Sequence, residues 1–196
     1  DLEQGILSLQ NLLSDSYING DGAGFHRDEA LLLVIILSDE DDQSSGSDDS
    51  VVQSMKSRLD QLKKPFRPNV GGWIVNFIGG IDNTCKDGFG QSHIGNRYMA
   101  LSSASGGQNF SICDGNLKGS VASLQRRVLQ IITDYPLKSV PKLDTIRVFE
   151  NGVLIPQSTS NGWDYIPTLQ VIRFYGTAVP SSDSTINVEY TPDSAT

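Results

Sequence analysis

Basic residues are scarce in this sequence: 15 Lys and Arg stand against 23 Asp and Glu, giving a formal net charge of -8. That deficit argues against binding nucleic-acid phosphates or an anionic membrane through bulk electrostatics, and suits cations or a basic protein surface. No apolar stretch reaches the roughly 18 residues that a membrane helix needs, so no membrane-spanning segment is expected. The opening DLEQGIL shows neither a start methionine nor the order of a signal peptide, and Asp1 reads as a cut or processed end. Histidine and cysteine are rare, at 2 residues each, which speaks against a clustered zinc site. His26 and His93 stand in polar stretches and are read as solvated. No Gly-x-Gly-x-x-Gly or Gly-Lys-Ser/Thr follows a strand pattern, which removes dinucleotide and phosphate-loop chemistry.

What the sequence does have is the stretch Leu31–Asp42, LLLVIILSDEDD. Seven apolar residues run unbroken and then give way to Ser38, Asp39, Glu40, Asp41 and Asp42. A branched-aliphatic run of that length reads as a strand buried on both faces, deep in a parallel sheet. In open α/β sheets ligands bind outside the carboxyl ends of the strands, so the acidic cluster is where hard oxygen ligands would hold Mg²⁺ or Ca²⁺. Core and candidate site therefore meet at Ser38 and Asp39. The plainer alternative makes Asp41, Asp42, Asp48 and Asp49 a solvated loop whose carboxylates serve the dipole of the next helix.

Around this stretch the chain alternates. Leu2–Leu13 has an amphipathic helical period, with Asp1 placed to cap it. Ser14–Asp28 is turn chemistry and lacks the ligand spacing of a calcium loop. Asp48, Asp49 or Ser50 can cap a helix running to about Lys64, closed off by Pro65 and Pro68. Gly72–Ile78 reads as a strand, with Trp73 filling core, and a polar loop with Asp82, Cys85, Asp87 and His93 follows. A helix near Ile94–Ser103, a short strand Asn109–Cys113 and a long helix Asn116–Thr133 complete the series. The last helix is expected to bury Leu117, Val121, Leu124, Val128, Ile131 and Ile132. Strand and helix in turn imply an α/β fold with a doubly wound, mainly parallel sheet over residues 1–136. Composition changes at Tyr135-Pro136, and residues 137–196 read as a small antiparallel β module. Its clearest sign is Asn151-Gly152, a type I′ hairpin turn. Trp163 reads as core of that module rather than as a sugar platform. Cys85 and Cys113 fall on the same rim of the sheet, where a disulfide would imply a periplasmic or extracellular setting; the alternative is two thiols.

One difficulty points outside the chain. A strand as apolar as Leu31–Leu37 wants a neighbour on each edge, yet no strand pattern precedes it and only two parallel ones follow. An N-terminal fragment, a partner or a symmetry mate covering that edge is therefore expected.

The order DLEQGILSLQNLL, LLLVIILSDEDD, VVQSMKSRLDQL, GWIVNFIGG, QNFSIC and NLKGSVASLQRRVLQ resembles the second half of a von Willebrand factor A domain, the integrin inserted-domain fold. It is most similar to the extracytoplasmic bacterial type in which a small β module follows. The resemblance implies a non-enzymatic adhesion protein binding a protein or cell-surface ligand. It implies a metal-ion-dependent adhesion site holding Mg²⁺, Ca²⁺ or Mn²⁺. In that family an Asp-x-Ser-x-Ser loop, a Thr and an Asp at the end of the fourth strand build the site. Asp39 corresponds to the last of these, with Ser38 beside it; the other elements are not in this chain.

Two other classes start from the same residues. One is a structural or assembly module without metal. The other is a haloacid-dehalogenase-like phosphatase, in which Asp39 would attack phosphorus and Asp41 would handle the proton. Gln43 stands where that chemistry wants Thr or Val, and the third strand lacks the further acidic pair. These residues favour a binding protein over an enzyme.

Overall fold

A computed structural model describes residues 2–28, 30–66, 70–86, 93–181 and 184–193. Asp1, Pro68 and Asp87, named above for a cap, a helix stop and a loop acid, lie outside the described residues. The chain divides into two compact units, Asp1–Leu124 and Gln125–Thr196.

The first unit is mixed α/β. Its elements are α1 (Gly5–Leu12), α2 (Asp15–Ile18), β1 (Leu32–Ser38), α3 (Asp48–Leu62), β2 (Trp73–Gly79), α4 (Asn96–Ala104) and β3 (Asn109–Ser111). A 3₁₀ turn follows at Ile112–Asp114, and α5 (Leu117–Thr133) carries the division between the units. The three strands form one parallel sheet in the order β1-β2-β3.

The central strand is thus β2, and its seven residues are all buried. This corrects the expected position of the most apolar run. β1 is an edge strand whose residues alternate between half-buried and exposed. Leu32, Val34 and Ile36 pack on the core with Leu9, while Leu33, Ile35 and Leu37 are 37%, 51% and 60% exposed. An unbroken apolar run reports that no position is polar, not that both edges are paired. β2 takes the centre although it contains Asn76, because that amide is satisfied: Asn76 Oδ1 accepts the N–H of Gln108 at 3.0 Å. Below the sheet, Val75 and Phe77 meet Met55 and Leu59 of α3 and Tyr98 and Leu101 of α4.

Two further expectations change. β3 stops at Ser111, so Cys113 lies in the 3₁₀ turn rather than in a strand. On α5, Leu124 is buried, but Leu117 and Val121 are 46% and 52% exposed.

The second unit holds two small antiparallel sheets. One, in the order β4-β8-β7, is built from β4 (Asp134–Pro136), β7 (Gly162–Ile166) and β8 (Val171–Tyr175). The other, β6-β5-β9, comprises β5 (Arg147–Glu150), β6 (Val153–Ile155) and β9 (Ile186–Glu189). Asn151 and Gly152 join β5 to β6 with φ of 49° and 82°, both left-handed, as a type I′ turn demands. Trp163 is 3% exposed and donates its indole N–H to Ile155 O, so it is core.

Candidate functional site

The acidic stretch after β1 is built by three helices that converge on it. α1 begins without a capping side chain of its own on Gln4. Its orphan N–H groups are satisfied from far away in sequence. Gly5 N donates to the Tyr98 hydroxyl at 3.1 Å, Ile6 N to Asp42 Oδ2 at 2.8 Å, and Leu7 N to Ser44 Oγ at 3.2 Å. A buried carboxylate at a helix N-terminus also gains from the helix dipole. Asp42 completes its bonding with the N–H of Ser44 at 3.0 Å and faces Arg97 Nη1 at 3.6 Å.

Asp41 performs the same service for α4, accepting the N–H of Arg97 at 3.0 Å. Burial pushes its carboxyl above the ordinary carboxylate range, although the N–H groups of Asp42, Arg97 and Asn96 pull the other way. Arg97 closes the loop. Its Nη1 donates to Ser44 O at 2.6 Å, its Nη2 to Gly46 O at 2.7 Å and its Nε to Asp48 at 2.7 Å. The bond to Asp48 raises the guanidinium pKa further, burial opposes it, and the charges of Asp42 and Asp41 add to the rise. Tyr98 is pushed up to about 12 by burial first, with the Gly5 N–H lowering it and the Asp42 charge raising it. The cap of α3 is Ser47, whose Oγ accepts Ser50 N, with Asp48 and Asp49 in the first turn.

The candidate pair itself sits at the end of β1. Ser38 is buried, and its hydroxyl donates to Glu3 and to Glu40 O. Asp39, next along, is exposed, and among the described residues its carboxylate has no hydrogen-bonded or ion-paired partner. Gly79 pairs with Ser38, and a Cβ there would collide with Ser38 O and the Phe77 ring; glycine lets the two strand ends close. Among the described residues no three or more His, Cys, Asp or Glu side chains are grouped to hold a metal. A divalent ion at Ser38 and Asp39 would therefore need ligands beyond the described residues.

Cys85 and Cys113 form a disulfide, with Cα atoms 5.3 Å apart. His26, read from sequence as solvated, has a side chain only 9% exposed, with Nδ1 3.5 Å from Asp28. Among the described residues no helix is long and apolar enough to cross a membrane.

Sequence reasoning missed Glu3, Ser44, Arg97 and Tyr98 as members of this cluster. Arg97 left a trace: a basic residue in the first turn of a helix opposes the dipole and calls for nearby carboxylates. Compared with protein-family models, curated proteins and solved structures, the chain matches none.

Proposed function

We propose that this chain is a non-catalytic protein-binding module that takes an extended polypeptide along the open edge of its parallel sheet. One observation carries the reading. Among the described residues β1 pairs on one side only, and that edge strand is seven residues long, apolar except for Ser38 at its end. Natural edge strands are blunted by central charges, proline or bulges; LLVIIL has none of these. Strand addition would satisfy the free backbone groups and cover Leu33, Ile35 and Leu37 together. The acidic loop supports the assignment, since Asp41, Asp42 and Asp48 are committed to helix ends and to Arg97 rather than poised for chemistry.

A second reading rests on Asp39. Its exposed carboxylate at the strand end is what the resemblance to the von Willebrand factor A family would use, with Ser38, as part of a metal-ion-dependent adhesion site. Further ligands would come from outside this chain, and a bound divalent ion would then recruit an acidic group of a protein or cell-surface ligand. Calorimetric titration with Mg²⁺, Mn²⁺ and Ca²⁺ tests whether the isolated chain supplies enough ligands by itself: heat that disappears in Asp39→Ala favours the ion, and no heat means that this chain alone does not hold one. The disulfide fits an oxidising, extracytoplasmic compartment.

Hydrogen exchange at single-residue resolution tests the edge reading. In dilute protein the amides of Leu32, Val34 and Ile36, facing β2, should exchange slowly, and those of Leu33, Ile35 and Leu37 should exchange freely. Slow exchange at all of them in the monomer would place another segment of the chain on that edge and defeat the reading.

A further inference from the structure

We infer that Asn19-Gly20 is a self-modification site, at which the folded chain loses ammonia to give isoaspartate or aspartate while its other Asn-Gly pairs stay intact. The inference does not depend on the sheet edge.

The chemistry needs no partner but water. The backbone nitrogen of Gly20 attacks Cγ of Asn19, the Cγ–Nδ2 bond breaks, and the Gly20 N–H proton leaves with the amide as ammonia. Water then opens the cyclic imide at either carbonyl. Opening at the side-chain carbonyl gives Asp; opening at the main-chain carbonyl gives isoaspartate and lengthens the backbone by one carbon. Glycine in second place leaves the attacking nitrogen least crowded, since no Cβ flanks it. The sequence holds three such pairs, Asn19-Gly20, Asn151-Gly152 and Asn161-Gly162.

Local structure separates the three. The carboxamide must swing onto the following nitrogen, so the rate follows how freely each segment opens. Asn161 Oδ1 accepts the N–H of Thr177 at 2.8 Å and its hydroxyl at 2.7 Å. Gly162 is buried in β7, where an added Cβ would strike Pro156 O. Asn151 is pinned twice to Thr185: its N–H donates to Thr185 O and its Oδ1 accepts Thr185 N, each at 2.9 Å. Reaction at either residue has to break contacts of an antiparallel sheet.

Asn19 is held only by its own turn. It is the C-cap of α2, a helix of four residues, none of them buried. A helix of one turn bears the cost of nucleation and gains almost nothing from propagation. Arg58 ties down Asp15 at its start, and the other end is left to local bonds. Asn19 Nδ2 and N both donate to Asp15 O, at 2.9 and 3.0 Å, and Gly20 N donates to Tyr17 O at 3.1 Å. Both residues are exposed. One opening of α2 therefore frees the carboxamide and the attacking nitrogen together. The product lacks the Nδ2 donor and turns a carboxylate toward Asp15 O, so the turn does not close again as before.

Mass spectrometry of the full chain tests the inference. Oxidised, folded protein is held at mildly alkaline pH beside a sample in urea, and digests follow each Asn-Gly peptide over weeks. In the folded sample the Asn19 peptide should gain the mass of an amide-to-acid exchange within about threefold of its rate in urea, and those of Asn151 and Asn161 should be slowed about tenfold or more. Asn19→Gln, whose longer side chain must close a larger ring, should remove the gain from that peptide with unchanged circular dichroism. A gain that appears first at Asn151 or Asn161 would overturn the inference, as would folding that slows Asn19 as much as the other two. A total gain undiminished in Asn19→Gln would place the reaction elsewhere and overturn it as well.

Discussion

Asp42 and Ile6 lie 36 residues apart in sequence, and the carboxylate of the first caps the helix of the second at 2.8 Å. The acidic stretch that looks most like a metal site is, at this residue, a tie between the loop after β1 and the N-terminus of α1. Asp42 is 4% exposed, accepts two backbone N–H groups and faces Arg97.

Removing that carboxylate leaves the N–H groups of Ile6 and Ser44 without an acceptor and takes one of the nearby negative charges from Arg97, which keeps its bond to Asp48. Asp42→Ala should lower stability by about 3 kcal/mol in urea unfolding, and Asp42→Asn by less, since the amide oxygen keeps one acceptor. A loss under about 0.5 kcal/mol for Asp42→Ala would mean that the loop does not hold α1.

Tyr98 gives a pH dependence of known sign. Its hydroxyl pKa is raised from 10.0 in the free side chain to about 12 in the fold. The stability it contributes is therefore complete below about pH 10 and is lost as pH climbs through 12. Tyr98→Phe should flatten this alkaline slope. At neutral pH it should cost about 1 kcal/mol, the worth of the hydrogen bond to Gly5 N. Phenolate absorbance and thermal unfolding, measured together, check both statements.

Reduction of Cys85–Cys113, which closes a loop of 28 residues, should cost about 3 kcal/mol. Chemical unfolding with and without a reductant measures it. Equal midpoints would show that the bridge adds nothing to the folded state.

These residues also mark how far the sequence could be read. Local periodicity found α1, α3, α4, α5 and the three parallel strands within a few residues, because each is an apolar pattern on a short segment. Asn151-Gly152 declared its hairpin because two left-handed residues in succession suit few other pairs. β4 and β7 were missed: DYP is three residues ending in proline, and GWDYI alternates too briefly to stand out. Ser38 and Asp39 were correctly placed at the end of a strand. What their neighbours do was not legible, since Glu3, Arg97 and Tyr98 reach the cluster from elements distant in the chain. The edge position of β1 was hidden for a related reason. Which strand is central depends on partners, and the expected shortage of strands was the only hint.

The disulfide has a last consequence for the chain as a covalent object. Cys85 follows β2 and Cys113 follows β3, so the ring they close contains the whole of α4, with Arg97 and Tyr98 on it. A peptide bond cut anywhere between those cysteines leaves one molecule, not two. Such a nicked protein keeps its mass on a non-reducing gel, plus one water, and separates into fragments only when the bridge is opened.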